Sequence, residues 1–280
     1  MNAKVVPKEN VIVGLFRRTL YSILFAAASL SVTIASAQDL TVMVSGAFAA
    51  PIEQLTPKFE ASTGIRVTLV HGASMGASTT SIPMRLSRNE TADIVIMARS
   101  GLDSLVQKGL VVAGSQVDLV RSRIGMAVRT GVPVPDISTV AAFKKVLLAA
   151  RSIAISDSAS GAYISSEMYK KLGIEDEVAP KTKRIQDEPV AEVVARGDAD
   201  IGFQQISELK PVAGITIVGP IPDEVQIVTV FSIGVVESSQ HKASANAMIR
   251  FLAWPTICPT IIENGLEPVA CPSARSVAKP

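Results

Sequence analysis

Apolar positions recur along this chain with two alternating periods. The run Leu-Thr-Val-Met-Val at 40–44 is strand-like, and after it Ile52, Leu55 and Phe59 fall on one face of a helix that Gly64 closes. Residues 65–70 are again extended, 94–97 form a short apolar strand behind Asp93, and 102–108 read as a helix ended by Gly109. Strand and helix alternating at this spacing is the rhythm of βαβ units, which place a parallel sheet between helices.

The pattern changes at 124–128, where Ile-Gly-Met-Ala-Val forms a strand followed by a turn segment holding Gly131, Pro133 and Pro135. A second series follows it. Ser138 caps a helix reaching 150, residues 153–156 are a strand, and Ser160 or Gly161 opens a helix ending at Gly173. Residues 189–195 form a helix stopped by Gly197, and 199–203 are the next strand. An extended run at 225–236 leads into helices at 239–252 and 255–264. Two α/β series and a returning terminal segment predict two lobes joined by two crossings. The expected boundaries are 38–131 for the first part of lobe 1, 132–226 for lobe 2, and 227–280 for the return to lobe 1 with C-terminal helices.

The first 37 residues stand outside this pattern and read as a cleavable signal peptide. Lys4, Lys8, Arg17 and Arg18 precede an apolar run from about 20 to 34, and Ala35-Ser36-Ala37 supplies the small-x-small site, with cleavage near Ala37-Gln38. The alternative, an uncleaved anchor, conflicts with a run shorter than the ~20 residues a bilayer span needs. This leader changes the meaning of the charge. The whole chain nets +2, but the leader holds four basic residues and one acidic, so the remainder nets −1. Apparent basicity is therefore no sign of a nucleic-acid or membrane-surface partner. Composition (280 residues, 48% hydrophobic, 19% charged, two cysteines) excludes a disordered chain and a disulfide scaffold. In an exported chain, Cys258 and Cys271 are expected to bond across their short loop, with two buried thiols as the alternative.

The sharpest local motif is Gly72-Ala73-Ser74-Met75-Gly76, a literal G-x-S-x-G after a strand. In an α/β-hydrolase it would present Ser74 as a nucleophile. Only one strand precedes the motif's own, and the histidine that follows it, His241, sits in a polar Ser-Ser-Gln-His-Lys stretch, so catalysis by Ser74 is the lesser reading. The same Gly/Ser chemistry suits anion binding, because such turns present backbone N–H groups at helix starts. Three occur: Ser45-Gly46-Ala47, Gly72 to Gly76, and Ser156 to Gly161. Two histidines, paired cysteines and no clustered carboxylates leave no metal site expected, and phosphate-loop and dinucleotide motifs are absent from the sequence, so no cofactor is expected.

Several runs together resemble the periplasmic solute-binding proteins of ABC importers. They are Val-Ser-Gly-Ala-Phe at 44–48, Phe-Glu-Ala-Ser-Thr-Gly-Ile-Arg-Val at 59–67, the Gly-Ala-Ser turn at 72–74 and Ala-Asp-Ile-Val-Ile at 92–96. Ser-Gly-Ala-Tyr at 160–163, Lys-Leu-Gly-Ile at 171–174, Gly-Asp-Ala-Asp-Ile-Gly-Phe at 197–203 and Asn-Gly-Leu-Glu-Pro-Val at 264–269 continue the likeness. The nearest branch is the molybdate-binding one. The resemblance implies an α/β type II periplasmic-binding-protein fold, each lobe a mixed sheet flanked by helices. It also implies a non-enzymatic, monomeric periplasmic binder that captures a small anion between the lobes and delivers it to a membrane permease. Transferred residue by residue, the expected ligand-binding set is Ser45, Ala47, Ser74, Ser160, Gly161 and Gln205. Ala47 stands where the branch carries a ligand serine, and Gln205 where it carries a tyrosine. An amide in place of a phenol leaves a small carboxylate as the alternative ligand to molybdate.

Overall fold

The computed structural model describes residues 39–271; the expected signal peptide and its cleavage site lie outside the described residues. In chain order the first elements are β1 (Asp39–Val44), α1 (Gly46–Thr63), β2 (Arg66–His71), α2 (Ile82–Ser87), β3 (Ile94–Ala98), α3 (Arg99–Gln107) and β4 (Val117–Arg129). There follow α4 (Val140–Ala149), β5 (Ile153–Ser156), α5 (Ala159–Tyr163), α6 (Tyr169–Leu172), α7 (Glu175–Val178), β6 (Thr182–Ile185), α8 (Val190–Arg196), β7 (Ile201–Gln205), α9 (Ile206–Leu209) and β8 (Ile215–Pro220). The chain then forms β9 (Val228–Val235), α10 (Lys242–Leu252), α11 (Cys258–Glu263) and β10 (Glu267–Pro268).

The strands run in the order β2-β1-β3-β9-β4-β7-β5-β6, with β8 and β10 also paired to β4. β1 pairs in parallel with β2 and β3, and β5 with β6 and β7, as the βαβ rhythm requires. β9 and β4 run against their neighbours, so each half is a mixed sheet flanked by helices. β4 serves both halves: Val117 to Arg123 pairs with β9, and Ile124 to Val128 with β7. The boundary expected at 131 falls in the loop just beyond this shared strand.

Strand alternation explains the layers. Leu40, Val42, Val44, Ile94 and Ile96 face one way and pack with Phe48, Ile52, Leu55 and Phe59 of α1, while Met43, Val95 and Met97 face the other way toward Ile82 and Leu102. In the second half Ile153 and Ile155 pack with Phe143 and Phe203, and Ala154 points to Val190 and Val194 of α8. Both faces are covered, which is why these strands read as unbroken apolar runs. α1 ends where Gly64, at φ +71°, donates its N–H to the Glu60 carbonyl.

Four strands escaped the sequence pattern in whole or in part, β10 with only two residues. The Val117–Arg123 part of β4 carries Asp118, Arg121 and Arg123, and β6 is Thr-Lys-Arg-Ile at the edge of the sheet, with its two central residues exposed. β8 is half-buried from Ile215 to Gly219 and exposed at Pro220. Among the described residues no helix is long and apolar enough to cross a membrane. Cys258 and Cys271 are joined as a disulfide, which pins the tail to the start of α11.

Candidate functional site

Where β1, β2, β5, β6 and β7 end, the chain leaves a cleft of about 320 Å³. Crevices at the carboxyl ends of parallel strands are the usual ligand positions in α/β sheets. Gly46 enters the wall after β1, His71, Gly72 and Ala73 from the end of β2, and Ser156, Asp157 and Ser158 from the end of β5. Gln186, Asp187 and Glu188 follow β6, Gln204 lies at the end of β7, and Thr80, Arg85 and Glu208 complete the wall. All three Gly/Ser turns therefore reach one cleft.

The wall is formed by neighbours of the expected ligand residues rather than by those residues themselves. Ser45 is 2% exposed; its N–H donates to the Ile96 carbonyl at 2.8 Å, and its Oγ has no hydrogen-bond partner among the described residues. Ala47 turns its methyl into the first core. Ser74 is buried, and its Oγ accepts the Ala98 N–H at 2.9 Å. Ser160 Oγ lies 3.0 Å from Ser156 Oγ, and Gly161 lies flat on Ser156, whose carbonyl a Cβ at 161 would strike. Gln205 Nε2 donates to Thr229 Oγ1 at 3.2 Å, while Oε1 is unpartnered.

No triad forms around the G-x-S-x-G motif among the described residues. His71 Nε2 stands 3.4 Å from Glu53 Oε1 with half of its side chain exposed, and His241 N–H donates to Ser239 Oγ. The motif is an architectural turn instead. Gly72 N–H donates to the Val44 carbonyl at 3.0 Å and Ile82 N–H to the Ala73 carbonyl at 2.9 Å, which fastens the turn to β1 and α2. Gly76 sits at φ +103°, where a Cβ would collide with the Asp157 carbonyl.

Beyond that glycine the segment is clasped by the second half. Asp157 accepts from Ala77 N–H at 3.2 Å and pairs with Arg184 at 3.0 Å, while Asp187 Oδ1 accepts from Ser78 Oγ at 2.6 Å and Thr80 Oγ1 at 3.2 Å. Across the cleft Arg85 donates Nε to the Thr80 carbonyl at 2.9 Å and pairs with Glu90 at 2.7 Å. Among the described residues no group of three or more His, Cys, Asp or Glu side chains is placed to hold a metal ion.

Glu208 has the most unusual chemistry at this site, and sequence reasoning missed it. It occupies the third position of α9, after Gln205 at the cap, so its carboxyl folds back to accept the Gln205 N–H and a bond from the Gln204 side chain. Burial outweighs both bonds and pushes the carboxyl up to about 7. Its Oε1 abuts Gly46 at the start of α1 so closely that a Cβ at 46 would occupy the same space. The available signal was an acid at capping-box spacing between the apolar Ile206 and Leu209, directly after the strand end at Gln205.

A family profile described as bacterial extracellular solute-binding protein matches residues 40–267. An aconitate isomerase from Pseudomonas sp. is 46% identical over 230 residues, covering 82% of this chain and 88% of that protein. Among solved structures, the Azotobacter vinelandii periplasmic molybdate-binding protein superposes with a TM-score of 0.64 at 21% identity, covering 81% of this chain and 98% of the other. PEB3 of Campylobacter jejuni with bound L-phospholactate superposes with a TM-score of 0.64 at 14% identity, covering 82% and 99%. At these identities the structures bear on the fold alone: two lobes, as expected. The isomerase corrects one expectation. A chain that is 46% identical to an enzyme over 230 aligned residues is not supported as a purely non-enzymatic binder. Resemblance to the molybdate branch concealed this, because loose turn motifs follow the fold while catalysis rests on single side chains.

Proposed function

The chain belongs to the bacterial extracellular solute-binding proteins, a family that carries a small ligand and, in general, an ABC transporter partner, and from that premise we propose that its cleft acts on a small unsaturated tricarboxylate of the aconitate class. The reaction is movement of the double bond between cis and trans forms. The single observation that carries the reading is the 46% identity to an aconitate isomerase across most of both chains.

The cleft supports it chemically. A volume of about 320 Å³ lies at the small end of ligand pockets. The first turn of the 18-residue α1 opens on the cleft at Gly46, and such a turn offers N–H groups without intrahelical acceptors to a carboxylate. Arg85, Thr80 and Ser158 add a cation and two hydroxyls, and the buried, unpartnered Ser45 Oγ lies beside Gly46. Ser74 and Ser160 support the wall from behind through their bonds to Ala98 and Ser156. In this reading the binding-protein fold supplies capture and closure, and the carboxyl chemistry of the cleft supplies turnover in the periplasm.

The decisive experiment incubates the chain lacking residues 1–37 with trans-aconitate and follows cis-aconitate by proton NMR. A parallel thermal melt compares trans-aconitate, citrate, molybdate and sulfate. Turnover is expected, with a rise of roughly 5–10 °C for a ligand at a hundred times its dissociation constant. A melt that responds to molybdate alone, without isomerisation, would remove the reading.

A further inference from the structure

Resting on the isomerase reading, we propose that Glu208 is the acid–base residue that carries one proton between the two ends of the substrate's three-carbon allylic unit. Moving the double bond of such a tricarboxylate requires a proton to leave the methylene carbon and another to reach the far vinyl carbon. A single carboxyl lying beside the allylic unit can do both.

Glu208 is singled out by what surrounds it. Four acids line the cleft, and three are engaged: Asp157 with Arg184 and Ala77 N–H, Asp187 with Ser78 and Thr80, and Glu188 with Arg196 at 2.8 Å. No ion pair ties Glu208 to a cation among the described residues; its bonds come from Gln204 and Gln205. Both donors hold the carboxyl without removing its basicity. Gly46 matters for the same reason, because its missing Cβ lets Oε1 stand at the mouth of α1, beside the N–H groups assigned to a substrate carboxylate. Burial brings the carboxyl to about 7, so both protonation states are populated near neutrality, the condition for a group that must take and return a proton. The other titratable groups facing the cleft are His71 and Arg85 from the first half and Asp157, Asp187 and Glu188 from the second.

The step balances internally. The Glu208 carboxylate takes the methylene proton. The C–H pair becomes the new double bond to the central carbon, and the former double-bond pair passes to the far carbon and its carboxylate. Protonated Glu208 then returns the proton to that far carbon. The bond that ends as the double bond was single and free to rotate beforehand, so its conformation in the cleft decides cis or trans. Neither an oxidant nor a co-reactant enters. The α1 N–H groups stabilise the charge that develops on the carboxylate.

Glu208→Gln is the test, because Gln preserves the capping-box bond. Expected is a loss of about 10²–10⁴-fold in kcat, with trans-aconitate still raising the melting midpoint of the variant. Glu208→Asp, which keeps a carboxyl, is expected to exceed the Gln variant at least tenfold. The wild-type pH–rate profile is expected to carry a limb near 7 that the Gln variant lacks. If the Gln variant does not fold, the Asp variant and that limb decide. A Gln variant within tenfold of wild type, or a profile without the limb, overturns the assignment of Glu208 and leaves the isomerase reading standing. A wild-type protein that binds trans-aconitate without interconverting it removes both.

Discussion

At the scale of single residues, the site depends on one contact between an acid and an absent side chain. Gly46 begins α1 with no backbone demand for glycine, since its φ is not in the left-handed region, and Ala is the better helix former by about 1 kcal/mol. The steric demand comes from Glu208 Oε1 alone. Gly46→Ala is therefore expected to lower turnover at least tenfold and to destabilise the wild type, yet to be neutral or stabilising beside Glu208→Ala. A double-mutant cycle by denaturant unfolding is expected to show a coupling of about 1 kcal/mol or more; additive effects would mean the contact is slack. Titration supplies a second test. Burial raises the folded carboxyl to about 7, above its unfolded value, so the native chain holds an extra proton between the two. Stability from this group is present at low pH and is lost as pH rises from about 4.5 to 7. Melting of Glu208→Gln relative to wild type is thus expected to rise across that window, and a difference flat with pH would contradict the shift.

At the scale of elements, the segment from Gly72 to Ser81 bridges the halves, tied to its own half by backbone bonds at Gly72, Ala73 and Ser81 and to the other half by Asp157 and Asp187. Asp187 accepts two hydroxyls, and hydrogen bonds to a charged group contribute about 1.5–3 kcal/mol each in net terms. Asp187→Asn keeps the shape but weakens the clasp, so trans-aconitate affinity by calorimetry is expected to fall about 5- to 50-fold and the ligand-free melting midpoint to fall with it. An unchanged affinity would make the clasp incidental. The turns themselves were legible in the sequence, because Gly and Ser after an apolar run are strong local signals. What each turn does was not. Ser74 reads as a nucleophile or ligand, whereas its hydroxyl is spent on Ala98, a residue 24 positions away. Glu208 gives the converse: its local signal is a cap, and only the approach of Gly46 from the other end of the chain makes it a site. The edge strand β6 was hidden for a similar reason, since Lys183 and Arg184 point to opposite faces and are both exposed, so the segment takes its strand character from pairing with β5.

At the scale of the molecule, two main apolar cores are joined through β4, which pairs into both halves of the sheet. Phe59 meets Phe251 edge-on at 5.5 Å in the first core, and Phe143 meets Phe203 at 5.9 Å in the second. Between them the chain passes once along β4 and returns through Gln226, whose side chain brackets the point where β4 changes partner. Ile124 N–H donates to Gln226 Oε1 at 3.0 Å, and Gln226 Nε2 donates back to the Ile124 carbonyl at 2.9 Å. Beside it Arg123 pairs with Asp223, and Tyr163 Oη donates to the Val225 carbonyl at 2.9 Å. Gln226 thus fastens the outgoing strand to the returning one. Gln226→Ala leaves the Ile124 N–H without that acceptor, at a cost of about 1–3 kcal/mol, or roughly 3–10 °C at this chain length. The shape of the transition is the more telling readout. With the bracket intact, calorimetry is expected to show one cooperative transition; without it, the two cores are expected to melt over a broadened or divided one, because each retains its own apolar interior. A Gln226→Ala transition as sharp as that of the wild type and merely shifted would mean the β4–β9 and β4–β7 ladders couple the halves by themselves.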